Sequence, residues 1–573
     1  MAATVPRHAA PSARDGDPIL RAALRHSAGR TLALAAVTTA STGAALLLPA
    51  VLGHTLDLLL ARRAGDTGRW LLLSTALICV PAVLDALDEL LTATTTARTT
   101  AWLRRRALGD ILAAGPRATA RIRAGDLVTR LVGNTAHAAT APATLAGTAA
   151  AVAGPLGGIV ALGVIDPWLA VAFLAGAPLL ALLLRAFARA STDTLTAYQR
   201  IQGDIAGRLL EALRGARTIA AAGTAGRERE RVLRPLPGLS EHGHRMWRVQ
   251  GRSTAQAATL VPLLQIAVLA VAGLQLSRDR LSVGDLLAAS RYAALATGVG
   301  MLVGHLNALV HSRTAARRLA GVRALPPVPY GTRRLPADGA GTLRLRGVRA
   351  ERGGRAVLRG IDLDLPGGTT LAVVGRSGSG KSVLAELAGR LADPDAGEIT
   401  LDGVPLRDLT HKELRRAVAY AFARPALLGG TVGGTIAFGS FTPPPAAVTA
   451  AARAARADDF VRKLPAGYDT ACADAPLSGG EAQRLGLARA FAHAGRLLIL
   501  DDATSSLDSV TERQVTDALH RHVAAPTRLI IAHRPSTAAR ADRVAWLDGG
   551  RLAGLGTHAH LWREPGYRAV FGE

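Results

Sequence analysis

Leu371-Ala372-Val373-Val374 runs straight into Gly375-Arg376-Ser377-Gly378-Ser379-Gly380-Lys381-Ser382, and the reading of this stretch decides the fold. An apolar run, a glycine-rich turn and a helix opened by Lys381 form a strand–loop–helix unit with the pattern G-x-x-x-x-G-K-[ST]. Gly375, Gly378 and Gly380 let backbone N–H groups converge on phosphate oxygens, and the helix N-terminus adds positive potential. Lys381 supplies a point charge and Ser382 a hydroxyl for Mg2+. A chance glycine turn would satisfy the same pattern, so the rest of the chain must support it.

At 573 residues the chain is too long for one core. Its mean hydropathy is +0.23 although 19% of residues are charged. Both hold if the apolar residues are gathered into membrane spans. The net charge of +25 comes almost wholly from arginine, since lysine occurs only at Lys381, Lys412 and Lys463. Excess Ala, Arg and Gly reads as a coding bias of a GC-rich bacterium, and attraction to anionic lipid explains the charge better than a nucleic-acid partner. Cys79 and Cys472 give no disulfide framework and no metal spacing. No cleavable signal peptide is expected, because the first 30 residues are polar and dotted with arginine.

Residues 31–53, 70–92, 142–164, 168–189, 256–276 and 286–308 are each apolar and long enough to cross a bilayer, which takes about 20 residues. Ile165-Asp166-Pro167 makes a tight turn between the third and fourth. The stretches 93–138 and 190–255 are arginine-rich and helix-favouring, so the positive-inside rule places them and both termini in the cytoplasm. Pro326, Pro327, Pro329 and Pro336 mark a linker over 324–341. The expected organisation is a cytoplasmic segment 1–30, an all-α membrane domain of six spans over 31–323, that linker, and an α/β domain over 342–573.

Further motifs follow in the α/β domain. Ser478 and Glu481, within Leu477-Ser478-Gly479-Gly480-Glu481, have capping-box spacing ahead of a helix, leaving its N–H groups able to hold a terminal phosphate. Leu497-Leu498-Ile499-Leu500 is a buried strand ending in Asp501 and Asp502, with Asp501 placed for Mg2+. Asp508 follows, and a later strand, Ile530-Ile531, ends near His533, which could contact a γ-phosphate.

In this order the motifs resemble those of the ATP-binding cassette (ABC) superfamily, specifically half-transporters of the exporter type. In the membrane half the resemblance includes Gly125-Asp126-Leu127…Arg130, Glu211…Gly215 and Gly284-Asp285-Leu286. It implies an α/β P-loop ATPase domain that binds ATP and Mg2+ and works as a dimer, each ATP held between one chain's phosphate loop and the other's signature helix. ATP contacts are then expected from Gly375, Ser377, Gly378, Gly380, Lys381, Ser382 and Val383, with Ser382 and Asp501 on the metal. Ser478, Gly479, Gly480 and Glu481 would serve across the dimer, Asp508 is expected among the ATP-binding residues, and Asp502 and His533 are the catalytic pair. The resemblance also implies a lipid bilayer, a small-molecule or peptide substrate and a bacterial inner-membrane location. Export is the expected direction, although the fold also serves siderophore import.

The departures carry information. The family's general base is a glutamate after the strand-end aspartate, where this chain has Asp502. A shorter side chain withdraws the carboxylate by about 1.5 Å, and a misplacement near 1 Å can cost about 10² in rate. The glutamine expected to touch Mg2+ and water aligns with Ala423, which has neither donor nor acceptor in its side chain. The adenine-stacking aromatic falls near Arg352, whose guanidinium is expected to stack on the base in its place. The segment 471–476 is shorter than its family counterpart. Three changes on the chain's own ATP-facing side beside a complete Ser478–Glu481 favour a heterodimer in which this chain is the degenerate half. A homodimer using Asp as base and an ATP-binding subunit without turnover are the alternatives.

In the second span Asp85, Asp88 and Glu89 share one helix face. They are expected to pair with arginines of neighbouring helices, the alternative being attraction of a cationic or amine-bearing substrate.

Overall fold

The computed structural model describes residues 16–61, 64–119, 122, 124–523 and 526–572. The chain divides into two compact units, one built on Ala124–Ala324 with the described chain before Ile111, the other on Leu325–Glu573 with Ile111–Arg123.

The first unit is helical. Its elements are α1 (Asp17–His26), α2 (Ala28–Leu60), α3 (Ala64–Thr119, kinked at Gly115 and belonging from Ile111 onward to the second unit), α4 (Ala124–Thr129), a π-helical turn at Arg130–Asn134, α5 (Thr135–Ala139), α6 (Ala141–Ile165) and α7 (Pro167–Arg214). They continue through α8 (Ala216–Ala221), α9 (Ala225–Leu233), α10 (Leu236–Leu276), α11 (Val283–Ala296) and α12 (Val299–Arg323). The tight turn between α6 and α7 forms as expected. Asp166 caps α7 by accepting the Trp168 N–H at 2.8 Å, and Pro167 sits at the first helical position, where its missing donor costs nothing.

Among the described residues, four helical stretches are long and apolar enough to cross a membrane: Ala28–Leu60, Thr67–Pro116, Gly125–Ile165 and Ala225–Leu276. They contain the expected spans 31–53, 70–92, 142–164 and 256–276. Of the span expected at 168–189, which falls on α7, Pro167–Leu179 forms an apolar helical stretch, and most of 180–189 lies outside the residues whose side chains are described. The span expected at 286–308 is broken between α11 and α12. There the Thr297 hydroxyl donates to the Ala294 carbonyl at 2.7 Å, competing with the helical ladder just before Gly298.

Close helix contacts explain two glycines. A Cβ at Gly53 of α2 would lie 2.4 Å from the Gly284 carbonyl of α11. The same approach lets Asp57 accept the Gly284 N–H at 2.8 Å and the Ser282 hydroxyl at 2.6 Å, beside the Ser282–Asp285 capping box.

Among the described residues the second unit holds ten strands: β1 (Leu343–Arg352), β2 (Arg355–Leu365), β3 (Thr370–Val374), β4 (Ala396–Leu401), β5 (Val404–Pro405), β6 (Val418–Phe422), β7 (Leu497–Asp501), β8 (Thr527–Ile531), β9 (Arg543–Asp548) and β10 (Arg551–Gly556). One sheet is antiparallel, ordered β2-β1-β4-β5; the other runs β10-β9-β3-β8-β7-β6 and is parallel apart from β10. Leu371–Val374 of β3 and Leu497–Leu500 of β7 are continuously apolar because both faces are covered. Leu371 and Val373 pack with Leu384 and Leu387 of the phosphate-loop helix, whereas Leu498, Leu500 and Ile530 face the opposite cluster with Leu485 and Ala488. With β8 between β3 and β7, the phosphate loop, Asp501 and His533 all leave the same carboxyl edge of the sheet.

Candidate functional site

β3 ends at Val374, and the loop turns on glycines the backbone demands. Gly378 and Gly380 have φ of 80° and 101°, in the left-handed region. A Cβ at Gly375 would lie 2.3 Å from the Leu547 carbonyl and 2.6 Å from Ser379 Oγ. Gly380 precedes the helix Lys381–Ala388, so Ser382 and Val383 open its first turn with their N–H groups unused by the helix. Lys381 is nearly buried and donates from Nζ to the carbonyls of Gly375 (2.7 Å) and Arg376 (3.1 Å), wrapping the loop around its own ammonium. Burial pulls that ammonium below its ordinary pKa, and the charges of Asp502 and Asp501 oppose the shift.

Asp501 sits at the end of β7. Its Oδ1 accepts from Ser382 Oγ at 3.0 Å and its Oδ2 from Tyr420 OH at 2.9 Å. Burial pushes the Asp501 carboxyl above its usual range, partly offset by these two donors. Burial also raises the Tyr420 phenol, reinforced by the Asp501 charge, which keeps Tyr420 a donor. The paired oxygens of Ser382 and Asp501 are hard ligands suited to Mg2+, and the glycine cradle with Lys381 suits a triphosphate. A cation held by that oxygen pair would, with Lys381, supply charge neutralisation on phosphate oxygens.

Asp502, the next residue, has a φ of 51°, a left-handed conformation that Asp tolerates better than most. Its Oδ1 lies 2.7 Å from His533 Nε2, so the two expected catalytic side chains meet. Ala423 offers only its backbone carbonyl, which accepts Gln483 Nε2 at 2.7 Å. Arg352 is not free at the surface: its guanidinium pairs with Glu386 of the phosphate-loop helix at 3.0 Å. That contact braces the guanidinium against the phosphate-loop helix of its own chain.

The helix Gly479–Ala492 begins with a complete capping box. Ser478 N–H donates to Glu481 Oε2 at 2.8 Å, and Glu481 N–H donates to Ser478 Oγ at 3.3 Å. The Ser478 donors hold the Glu481 carboxyl below its usual range. Gly479 and Gly480 leave this tip without side chains. Asp508 caps the helix Ser509–His522, accepting the N–H groups of Val510 (3.0 Å) and Thr511 (2.9 Å).

Two residues escaped the sequence reading. Tyr420 was legible in principle: the register pairs it with Ile499, two residues before Asp501, so strand alternation puts ring and carboxylate on one face. Gln483 had no such signal. It links the carbonyl of Ala423, the hydroxyl of Ser505 and the N–H of Ser506, joining the signature helix to the loops after β6 and β7.

Residues 358–505 match the family model described as ABC transporter, and residues 32–299 match the ABC transporter transmembrane region. The chain is 54% identical over 535 residues to ABC transporter ATP-binding protein RamA of Streptomyces coelicolor, covering 93% of this chain and 84% of that one. It is 34% identical over 403 residues to the ATP-dependent lipid A-core flippase of Chromohalobacter salexigens, covering 70% of each. A bacterial Atm1-family ABC exporter solved with ATP bound shares the fold, with a TM-score of 0.80 at 24% identity, over 96% of this chain and 98% of that one. The chain therefore belongs to the ABC transporter family, as an exporter-type half-transporter that fuses a multi-pass membrane region to the ATPase domain driving transport.

Proposed function

We propose that this chain is the degenerate half of a heterodimeric exporter in the bacterial inner membrane. It binds ATP and Mg2+ at its own phosphate loop, turns that ATP over slowly, and lends the Ser478–Glu481 tip to a competent site on a sister chain. In this reading 31–323 supplies six spans, 342–573 the ATPase domain, and both termini lie in the cytoplasm.

One observation carries the reading: the groups that bind and the groups that cleave have diverged. On the binding side Lys381 is wrapped by the loop and Asp501 is gripped by Ser382 and Tyr420. On the cleaving side the short Asp502 lies against His533, and Ala423 presents a carbonyl already taken by Gln483 where a water-positioning amide is expected. Phosphate binding needs Lys381, the loop amides and the Ser382–Asp501 oxygen pair. Water activation needs a base within about 3 Å of the proton it takes. Ser382 and Asp501 would hold Mg2+, which neutralises charge on the phosphates when bound.

The test is ATP hydrolysis by the purified full chain alone and mixed with a half-transporter encoded beside it. A low rate alone, raised by the partner and lost on Ser478→Arg in this chain, is expected. Brisk hydrolysis by the chain alone that Asp502→Asn abolishes would make it a competent homodimer instead.

A further inference from the structure

The proline segment after α12 is anchored at closely spaced points. Between 326 and 329, in Pro326-Pro327-Val328-Pro329, Val328 alone has a backbone N–H. That one donor is spent on the Ala113 carbonyl at 2.9 Å, in the part of α3 that belongs to the second unit. The approach is close: a Cβ at Gly115, whose φ is 73°, would lie 2.9 Å from Val328 Cγ2. Beyond Tyr330 the chain is tied again, with Gly331 N–H donating to the Leu409 carbonyl at 3.1 Å and Arg333 N–H to that of Asp408 at 2.8 Å.

The next residue is gripped from the other side. The Pro329 carbonyl accepts from the Arg390 guanidinium, which also donates to the Leu406 carbonyl at 2.8 Å and the Asp393 carboxylate at 2.9 Å. The centre of that guanidinium lies 4.8 Å from the centre of the Tyr330 ring. Arg390 is only 2% exposed and has a φ of 46°, a left-handed conformation that a long side chain adopts at a cost. It follows closely on Lys381–Ala388, the helix that the phosphate loop opens. Arg415 caps the end of that helix through the carbonyls of Gly389 (2.9 Å) and Arg390 (2.7 Å).

Two adjacent residues, Val328 and Pro329, thus join the end of α3 to the end of the phosphate-loop helix. Proline fixes φ at 326, 327 and 329, so the strap cannot stretch between its anchors. A linker that only spans two domains needs length and no fixed points. This one spends its lone donor on α3 and meets a buried guanidinium at the very next residue.

We propose that Arg390 and Val328 are positioning residues through which ATP on the phosphate loop biases the end of α3. ATP draws the loop amides and Lys381 onto its phosphates. The short helix, about 12 Å long, follows its loop as a rigid piece, and Arg390 carries the strap and Ala113 with it. The strap is the two-state element, clamped while ATP is bound and released more often without it. The proposal rests on the reading that this phosphate loop binds ATP, whichever chain hydrolyses it.

The test is hydrogen exchange on the full chain in nanodiscs, with and without Mg-ATP. Prolines carry no amide hydrogen, so a peptic fragment over 326–329 reports Val328 alone. Saturating ATP should slow its exchange at least about fivefold, the lower end of ordinary coupling between sites. Arg390→Gln should make that exchange indifferent to ATP. A second variant leaves the buried clamp in place: Val328→Pro deletes only the donor to Ala113. By linkage its affinity for ATP should fall by the same factor as ATP slows wild-type exchange, whereas a merely structural strap would lower Tm and leave ATP affinity unchanged. Wild-type Val328 exchange indifferent to bound ATP, or unchanged ATP affinity in Val328→Pro, overturns the proposal and leaves the nucleotide reading standing. Failure of the wild type to bind ATP refutes the phosphate-loop reading and the strap's role with it.

Discussion

Replacing Asp502 with glutamate restores the missing methylene and separates reach from backbone fit. The carboxylate advances by about 1.5 Å, and since a misplacement near 1 Å can cost about 10² in rate, recovery of up to about 10²-fold is available. That corresponds to about 2.7 kcal/mol of barrier. Two features of the structure limit the gain. Residue 502 has a φ of 51°, where Asp is favoured by local hydrogen bonding and Glu is not, at a cost of about 1 kcal/mol. Oδ1 also lies 2.7 Å from His533 Nε2, so a longer side chain must swing past the imidazole or push it aside. The missing amide at Ala423 is left uncorrected. The expected result is a gain of about tenfold in phosphate release by the full chain in nanodiscs, with ATP affinity within about twofold of wild type. The backbone cost appears separately as a fall in Tm of a few degrees. Adding Ala423→Gln should raise the rate again, because it supplies the donor and acceptor that the alanine lacks. An unchanged rate in both variants, with ATP still bound, would refute the claim that reach at 502 limits turnover.

Tyr420→Phe removes one of two donors to Asp501 and should destabilise the ATPase domain by about 1.5–3 kcal/mol at neutral pH. The Asp501 pKa is raised in the folded state, so its contribution is greatest below the unfolded value near 3.8 and is lost as pH rises through the folded one; the variant raises that pKa further. Its Tm deficit, followed across pH, should therefore shrink in acid. Gly375→Ala drives a Cβ to 2.3 Å from the Leu547 carbonyl, a backbone atom that cannot rotate away. A loss of about 1–3 kcal/mol is expected from overpacking, with ATP binding abolished in a filter or fluorescence assay. Ser478→Ala breaks the capping box, for about 1 kcal/mol. Glu481 has a depressed folded pKa, so this stabilisation is present above the ordinary value near 4.5 and lost as pH falls through the depressed one. Wild type and variant should then converge in Tm on the acid side.

The ATPase domain was largely legible because each of its parts announces itself locally. Gly375–Ser382 needs glycines where φ is positive, Ser478 and Glu481 lie three apart because a capping box has that geometry, and Leu497–Leu500 is continuously apolar because both faces are covered. Contacts between distant segments were less readable. Tyr420 reaches Asp501 only through the register of β6 on β7, and Gln483 reaches Ala423 across 60 residues by tertiary packing alone. Arg352 was judged by its place in the motif order, whereas its partner Glu386 lies one helix away. The membrane half was harder because apolar length says where a helix is permitted and not where it stops. Hydropathy runs unbroken through 286–308, yet Thr297 turns its hydroxyl back on Ala294 and Gly298 follows. The same limit governs Asp85 and Asp88. Spacing put them on one face, but whether arginine or hydroxyl met them depended on which residues α2 aligned opposite α3. That alignment brought Thr38 to Asp88 at 2.9 Å and Ser41 to Asp85 at 2.7 Å, hydroxyls that can orient a charge and cannot cancel it.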